Sequence, residues 1–215
     1  MAVRILPSIL NVPNDDVQSA IDDVIEFVDG IHYDVMDGKF VPPTTFRIED
    51  FEALEVPTFT DIHLMVDEPE QWVRGFADAG ADLLTIHHEA KQRSVMGTLE
   101  MIKQQDCLAG LSIKPKTMLE EVPDELWEYC DVALIMSVEP GWGGQSFIEE
   151  VLDKVRVLRE KYPDKDINID GGVNGETARK CCQAGCNMLV SGSYIFRSED
   201  YRAAVQSLRN ADDEA

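Results

Sequence analysis

Three short stretches each close a β-branched or apolar run with residues able to bind a metal or move a proton. They are Ile31-His32-Tyr33-Asp34, Asp61-Ile62-His63 and Asn168-Ile169-Asp170-Gly171-Gly172. His32 and Asp34 stand two apart, so on a strand both side chains leave from the same face. Residues this distant in sequence meet only if their strands lie side by side in one sheet, which would bring two imidazoles and two carboxylates together. Such a donor set suits Zn2+, Fe2+, Mn2+ or Co2+ and contains no soft thiolate. His87 and Glu89 form another pair at a strand end. They could replace or extend the set. Glu89 falls where the chain is already leaving its strand, however, so His87 is expected to support the site or the core.

Three segments further on are built for anions. Pro140-Gly141-Trp142-Gly143-Gly144, Gly171-Gly172 and Gly192-Ser193 each follow an apolar run. Backbone N–H groups in such turns approach phosphate oxygens with no Cβ in the way. Met36, Met65 and Met136 fall in or just after strand-like runs. They are expected to pack there, and to wall the site with polarizable, water-excluding surface.

The elements that must position these groups are legible as an alternation. Strands are expected at Val3–Ile9, Gly30–Val35, Phe59–Met65, Leu83–His88, Ala109–Ile113, Val132–Ser137, Ile167–Asp170 and Met188–Ser191. Amphipathic stretches at Val17–Val28, Glu70–Ala79, Val95–Gln104, Met118–Tyr129, Phe147–Lys161, Gly175–Ala184 and Tyr201–Asn210 predict helices. Ile48–Leu54 carries the weakest helical signal. Strands and helices alternating in this way over 215 residues predict an α/β fold, a (β/α)8 TIM barrel near its lower size limit. An open doubly wound sheet fits less well: no Gly-x-Gly-x-x-Gly follows the first strand, and the chemistry-bearing residues sit at the ends of several strands. With no linker or low-complexity tract, residues 1–215 read as a single domain.

Bulk properties narrow the function. The formal net charge is −22, with the acids dispersed apart from short patches such as Asp212-Asp213-Glu214. That balance argues against nucleic acid and anionic membrane as partners, since both require a basic face. No apolar run reaches the length of a membrane span, and no signal peptide is visible, so a cytoplasmic protein is expected. Cys181, Cys182 and Cys186 cluster, the first two in a helix-like stretch, with no facing Cys pair at zinc-finger spacing, so the five cysteines read as structural thiols.

Taken in order, the motifs Pro-Ser-Ile-Leu (7–10), His-Tyr-Asp-Val-Met-Asp-Gly (32–38), His-Leu-Met-Val (63–66), Met-Ser-Val-Glu-Pro-Gly-Trp-Gly-Gly-Gln-Ser-Phe (136–147), Asp-Gly-Gly-Val (170–173) and Ser-Gly-Ser (191–193) resemble the ribulose-phosphate 3-epimerase family over nearly the whole chain. The resemblance implies one divalent metal per subunit, held by His32, Asp34, His63 and Asp170, with Zn2+ or Fe2+ ahead of Mn2+ or Co2+. It makes Asp34 and Asp170 the two acid/base groups. It puts Ser8, His63, Asp170, Gly141, Trp142, Gly143, Gly144, Gly171, Gly172, Gly192 and Ser193 against the substrate. The implied reaction inverts C3 of D-ribulose 5-phosphate to give D-xylulose 5-phosphate through a cis-enediolate, as a step of pentose phosphate metabolism. A symmetric homo-oligomer is expected.

Lys39, Pro43, Arg47-Ile48 and Trp142 depart from the family pattern and bear on the loop after the second strand, and so on fine substrate preference. An epimerase for another ketose phosphate, such as allulose 6-phosphate, would use the same acids in a roomier pocket. Related decarboxylases carry Asp-x-Lys-x-x-Asp, whereas Met36 stands where that Lys would be. A catalytically silent phosphosugar binder would have no use for paired acids.

Overall fold

A computed structural model describes residues 3–213, so Glu214 of the acidic patch, and the first two and last two residues of the expected domain, lie outside it. Eight parallel strands form one sheet: β1 (Arg4–Leu6), β2 (Gly30–Met36), β3 (Phe59–Met65), β4 (Leu83–His87), β5 (Leu108–Ile113), β6 (Val132–Met136), β7 (Asp166–Asp170) and β8 (Met188–Val190). Their order is β1-β8-β7-β6-β5-β4-β3-β2. The circle closes between β1 and β2 through a parallel bridge from Ser8 to His32, with the His32 amide donating to the Pro7 carbonyl at 2.9 Å.

The expected first strand, Val3–Ile9, is shorter in the structure because Pro7 has no N–H for the ladder. Helices α1 (Val17–Val24), α2 (Ile48–Glu52), α3 (Val73–Asp78), α4 (Val95–Lys103), α5 (Asp124–Tyr129), α6 (Leu152–Lys161), α7 (Gly175–Ala184), α8 (Ser193–Phe196) and α9 (Tyr201–Asp213) connect or follow the strands. Three expected helices begin later than their apolar pattern, after 3₁₀ turns at Pro69–Gln71, Leu119–Glu121 and Glu149–Val151. Pro123 explains one of these delays. It precedes α5, and inside a longer helix it would break the hydrogen-bond ladder. The four-residue α8 carries no periodic signal of its own and was not anticipated.

Alternation along each strand sorts side chains into two layers. Outward residues such as Ile31, Tyr33, Ile62, Ile86, Leu111, Ile135 and Ile169 pack under Ile21, Phe76, Leu99, Trp127, Val155 and Leu208 of the helices. Inward residues Leu6, Leu83, Val132 and Met188 fill the barrel interior as a separate apolar plug. Each fully buried Leu or Ile contributes roughly 1.5–3 kcal/mol. Above the plug, toward the C-terminal ends of the strands, the interior turns polar. That end is where a barrel of this kind presents its chemistry.

Candidate active site

Register does the first part of the assembly. On adjacent strands Asp34 pairs with His63 and His32 with Asp61, which stacks four inward polar residues in two rungs. Asp170 ends β7, which β8 and β1 separate from β2, so it reaches the same place from another arc of the rim. One ligand atom from each of His32, Asp34, His63 and Asp170 can be chosen so that all four lie within 4.8 Å of one another. All four residues are buried.

The donor set fits a metal ion. His63 Nδ1 lies 3.3 Å from Asp34 Oδ1 and 3.5 Å from Asp170 Oδ2. His32 Nε2 lies 3.5 Å from Asp34 Oδ1 and 3.9 Å from Asp170 Oδ2, with no hydrogen-bond partner among the described residues although fully buried. Four donors at bonds of about 2.0–2.1 Å around a tetrahedral ion would be roughly 3.4 Å apart. The spacing is therefore that of ligands facing a common centre. The orphaned His32 nitrogen is the atom such a centre would satisfy.

Imidazoles and carboxylates shift one another within the cluster. Burial opposes a charged His32, but Asp61 and then Asp34 outweigh it and raise its pKa well above the usual imidazole value. His63 is raised as well, burial being overcome by its contacts with Asp170 and Asp34. Burial would push the Asp34 carboxyl up, yet His32 and His63 hold it well below the ordinary carboxylate range. Ser8 Oγ donates to Asp34 Oδ2 at 2.7 Å, which occupies the oxygen turned away from the imidazoles.

Two groups behind the ligands were missed in the sequence. Asp61 Oδ2 sits 2.8 Å from His32 Nδ1, and Asn168 Nδ2 donates to the same oxygen at 3.2 Å. Each precedes a ligand by two positions on its strand, so a polar residue at the inward position below His63 and below Asp170 was the available signal. His87 stands behind His63, with Nε2 atoms 2.9 Å apart, and Glu89 Oε2 lies 3.2 Å from His87 Nδ1. Burial pushes the His87 imidazole down to about 4, against the pull of Glu89. The pair supports the cluster from behind and stays out of its first ring of atoms. For Glu89, burial is outweighed by His87, Thr117 and the Lys114 amide, which hold it at about 2.

From the cluster a cleft runs to the glycine turns. Its walls include Ser8, Met36, Met65, Met136, Asp34 and Asp170 at one end, and the turns at 141–144, 171–172 and 192–193 at the other. All the residues anticipated from the sequence as cradle, and all three methionines, lie on it. Gly172 has φ +65°, and a Cβ there would meet the Phe147 amide nitrogen at 2.8 Å. At Gly192 the reason is close approach, because a Cβ would stand 2.8 Å from the Ser8 carbonyl oxygen. The amides of Gly144, Gly172, Gly192 and Ser193 donate to no acceptor among the described residues.

Ser137 braces the middle turn, its hydroxyl donating to the Asp170 and Gly171 carbonyls at 2.9 and 2.6 Å. The guanidinium of Arg197, exposed and without an ion pair among the described residues, lies 3.8 Å from where a Gly144 Cβ would be. Nothing in its local sequence marked it. Trp142 is 62% exposed at the mouth of the cleft. Lys39 and Arg47 are exposed, while Val41 and Pro43 pack over Gly141.

The model of the ribulose-phosphate 3-epimerase family matches residues 4–196. The protein named ribulose-phosphate 3-epimerase from Bacillus subtilis is 37% identical, over 97% of this chain and 99% of that one. The Mycobacterium tuberculosis protein of that name is 42% identical over 84% of this chain and 81% of its own. Among solved structures, 3-keto-L-gulonate-6-phosphate decarboxylase from Vibrio cholerae superposes with a TM-score of 0.75, covering 100% of this chain and 99% of that one. It shares 14% identity, a likeness of fold alone. With the family model spanning all eight strands and the sequence relatives running through the site, this chain belongs to the ribulose-phosphate 3-epimerase family.

Proposed function

We propose that this chain is a metal-dependent isomerase that inverts C3 of D-ribulose 5-phosphate to give D-xylulose 5-phosphate. One observation carries the reading: two carboxylates from separate arcs of the rim share a buried metal-capable cluster at one end of a cleft, and free backbone amides line the other. The cleft thus pairs proton-transfer groups with an anion cradle, as a phosphorylated ketose requires.

Asp34, held as a carboxylate, takes the C3 proton, and the electrons of that C–H bond pass into an enediolate. Asp170, as the carboxylic acid, delivers a proton to the opposite face of C3 and restores the ketone with inverted configuration. Each turnover exchanges the protonation states of the two acids. Exchange with solvent resets them, and the reverse reaction begins from the other carboxylate. A divalent ion held by His32, Asp34, His63 and Asp170, with Zn2+ or Fe2+ preferred, would supply Lewis-acid stabilisation of the charge that develops on the substrate oxygens. Ser8 keeps Asp34 oriented, and the methionines exclude water from the reacting carbon. Amides at Gly144, Gly172, Gly192 and Ser193, with Arg197 beside them, bind the phosphate and contribute positioning energy remote from C3. Five free cysteines suit a reducing cytoplasm.

The test is turnover of D-ribulose 5-phosphate in D2O by metal-loaded protein, with deuterium read at C3 of the xylulose 5-phosphate. Label at C3 that disappears in both Asp34→Asn and Asp170→Asn supports the two-acid reaction. Full activity in either variant, or product without C3 label, overturns it.

A further inference from the structure

His63 presents its Nδ1 to the cluster, whereas His32 presents its Nε2, and the two rings are held by different means. Behind His32 a carboxylate acts directly, through Asp61 at 2.8 Å. Behind His63 stands a second imidazole, His87, whose own far nitrogen meets Glu89. We propose that Glu89 and His87 form a positioning relay that fixes the His63 tautomer, leaving the Nδ1 lone pair free for a metal ion. This inference rests on the metal-dependent reading above.

Two ring nitrogens 2.9 Å apart bond only if one carries hydrogen and the other a lone pair. Either direction is available to an isolated pair of imidazoles. Glu89 makes the choice, because a carboxylate only accepts, so His87 must carry its hydrogen on Nδ1. A neutral His87 is then bare at Nε2 and accepts from His63. His63 carries hydrogen on Nε2, which leaves Nδ1, the nitrogen facing Asp34 and Asp170, as the one that can offer a lone pair to a metal ion. A metal-ligating imidazole is commonly oriented by the group bonded to its other nitrogen. Here that influence travels through two rings.

The relay has an anchor outside the barrel. Glu89 Oε1 accepts from the Lys114 amide at 2.7 Å and from the Thr117 hydroxyl. The loop carrying both is clamped by Lys154 of α6, whose Nζ donates to the carbonyls of Pro115 at 2.6 Å, Thr117 at 2.7 Å and Lys114 at 3.3 Å. His87 is stacked on His63 with centroids 5.0 Å apart, and Phe40 covers it at 4.7 Å. Both rings are fully buried.

Glu89→Gln tests the idea while keeping shape. Its amide can donate to His87 Nδ1, which reverses both hydrogen bonds and puts hydrogen on His63 Nδ1. Zn2+ affinity, measured by competition with a chromophoric chelator, should fall about 10–100-fold. The visible absorption of the Co2+ form should change, with the melting temperature of the metal-free protein preserved. Lys154→Met should shift affinity in the same direction by less. Nitrogen-15 shifts of the histidines in the unaltered Zn2+-loaded protein give a readout that needs no variant. Hydrogen on His63 Nε2 and His87 Nδ1 is expected, and hydrogen on His87 Nε2 overturns the relay. Unchanged Zn2+ affinity and Co2+ spectrum in Glu89→Gln overturn it too. If the unaltered protein itself fails to bind Zn2+ or Co2+, the metal-dependent reading falls with it. If it binds and Asp34→Asn does not, while Glu89→Gln binds normally, the relay alone is wrong.

Discussion

The two ends of the cleft solve opposite problems with different materials. At the β2–β3 end, four charged or ionisable side chains are buried together and steadied from behind by Asp61, Asn168, His87 and Glu89. At the β6–β8 end almost no side-chain chemistry is present. Glycine turns offer main-chain amides, and among the described residues Arg197 at the rim is the cation placed against them. Buried charge demands partners on every atom, so the first end depends on a network spread over many strands. Backbone dipoles are fixed by the fold itself, so the second end depends on turn geometry. Asp170 and Gly171, adjacent in sequence, are where the two meet.

This contrast can be broken deliberately. Asp34→Asn and Asp170→Asn strike the first end and should lower kcat by at least roughly 10²–10⁴-fold, because each is proposed as both acid/base and ligand. Removing metal with a chelator should abolish turnover, which returns on adding Zn2+ or Fe2+. Binding of inorganic phosphate, followed by calorimetry, should survive the same treatment. If phosphate affinity disappears with the metal, the two ends are one unit and the contrast fails. Gly172→Ala attacks the second end. The positive φ and the 2.8 Å approach to Phe147 force the turn to move. Loss of one amide-to-phosphate bond, about 1.5–3 kcal/mol, predicts KM higher by about 10–100-fold with metal content unchanged.

Smaller effects sharpen the picture. Arg197→Met removes an exposed charge, so KM should rise only about 2–5-fold at constant kcat. Ionic strength supplies the least of these changes. With a net charge of −22, moderate salt should leave kcat/KM steady or raise it, because screening weakens repulsion of the anionic substrate. A steep fall between low and moderate salt, with the protein still folded, would mean that Arg197 and its neighbours dominate capture.

How far the sequence reached follows from which interactions are local. Strand alternation and the order of Gly turns are written within a few residues, so the barrel, the convergence of the four cluster residues and the glycine turns along one cleft were legible. Helix starts were not, because Pro123 and the 3₁₀ turns reshape segments whose apolar periodicity runs on unbroken. The groups that steady the cluster escaped for another reason. Asn168 and Asp61 lie 107 residues apart, and only the register of a closed sheet brings them together. Arg197 reaches the 141–144 turn from the far end of α8, a helix too short to announce itself. Glu89 was visible as chemistry but had no visible partner until the loop at 114–117 folded over it.

The free amides of the cradle have a consequence for how this molecule can be mapped. A scan that truncates side chains one at a time would light up β2, β3 and the ends of β4 and β7, and would pass over the glycine-turn end nearly blank. Glycine has nothing to truncate, and changing it reports on the bend of the chain as well as on the donor. Reading that end calls for chemistry on the main chain, such as replacing the amide of Ser193 with an ester by protein semisynthesis. That exchange deletes one N–H and leaves every side chain in place.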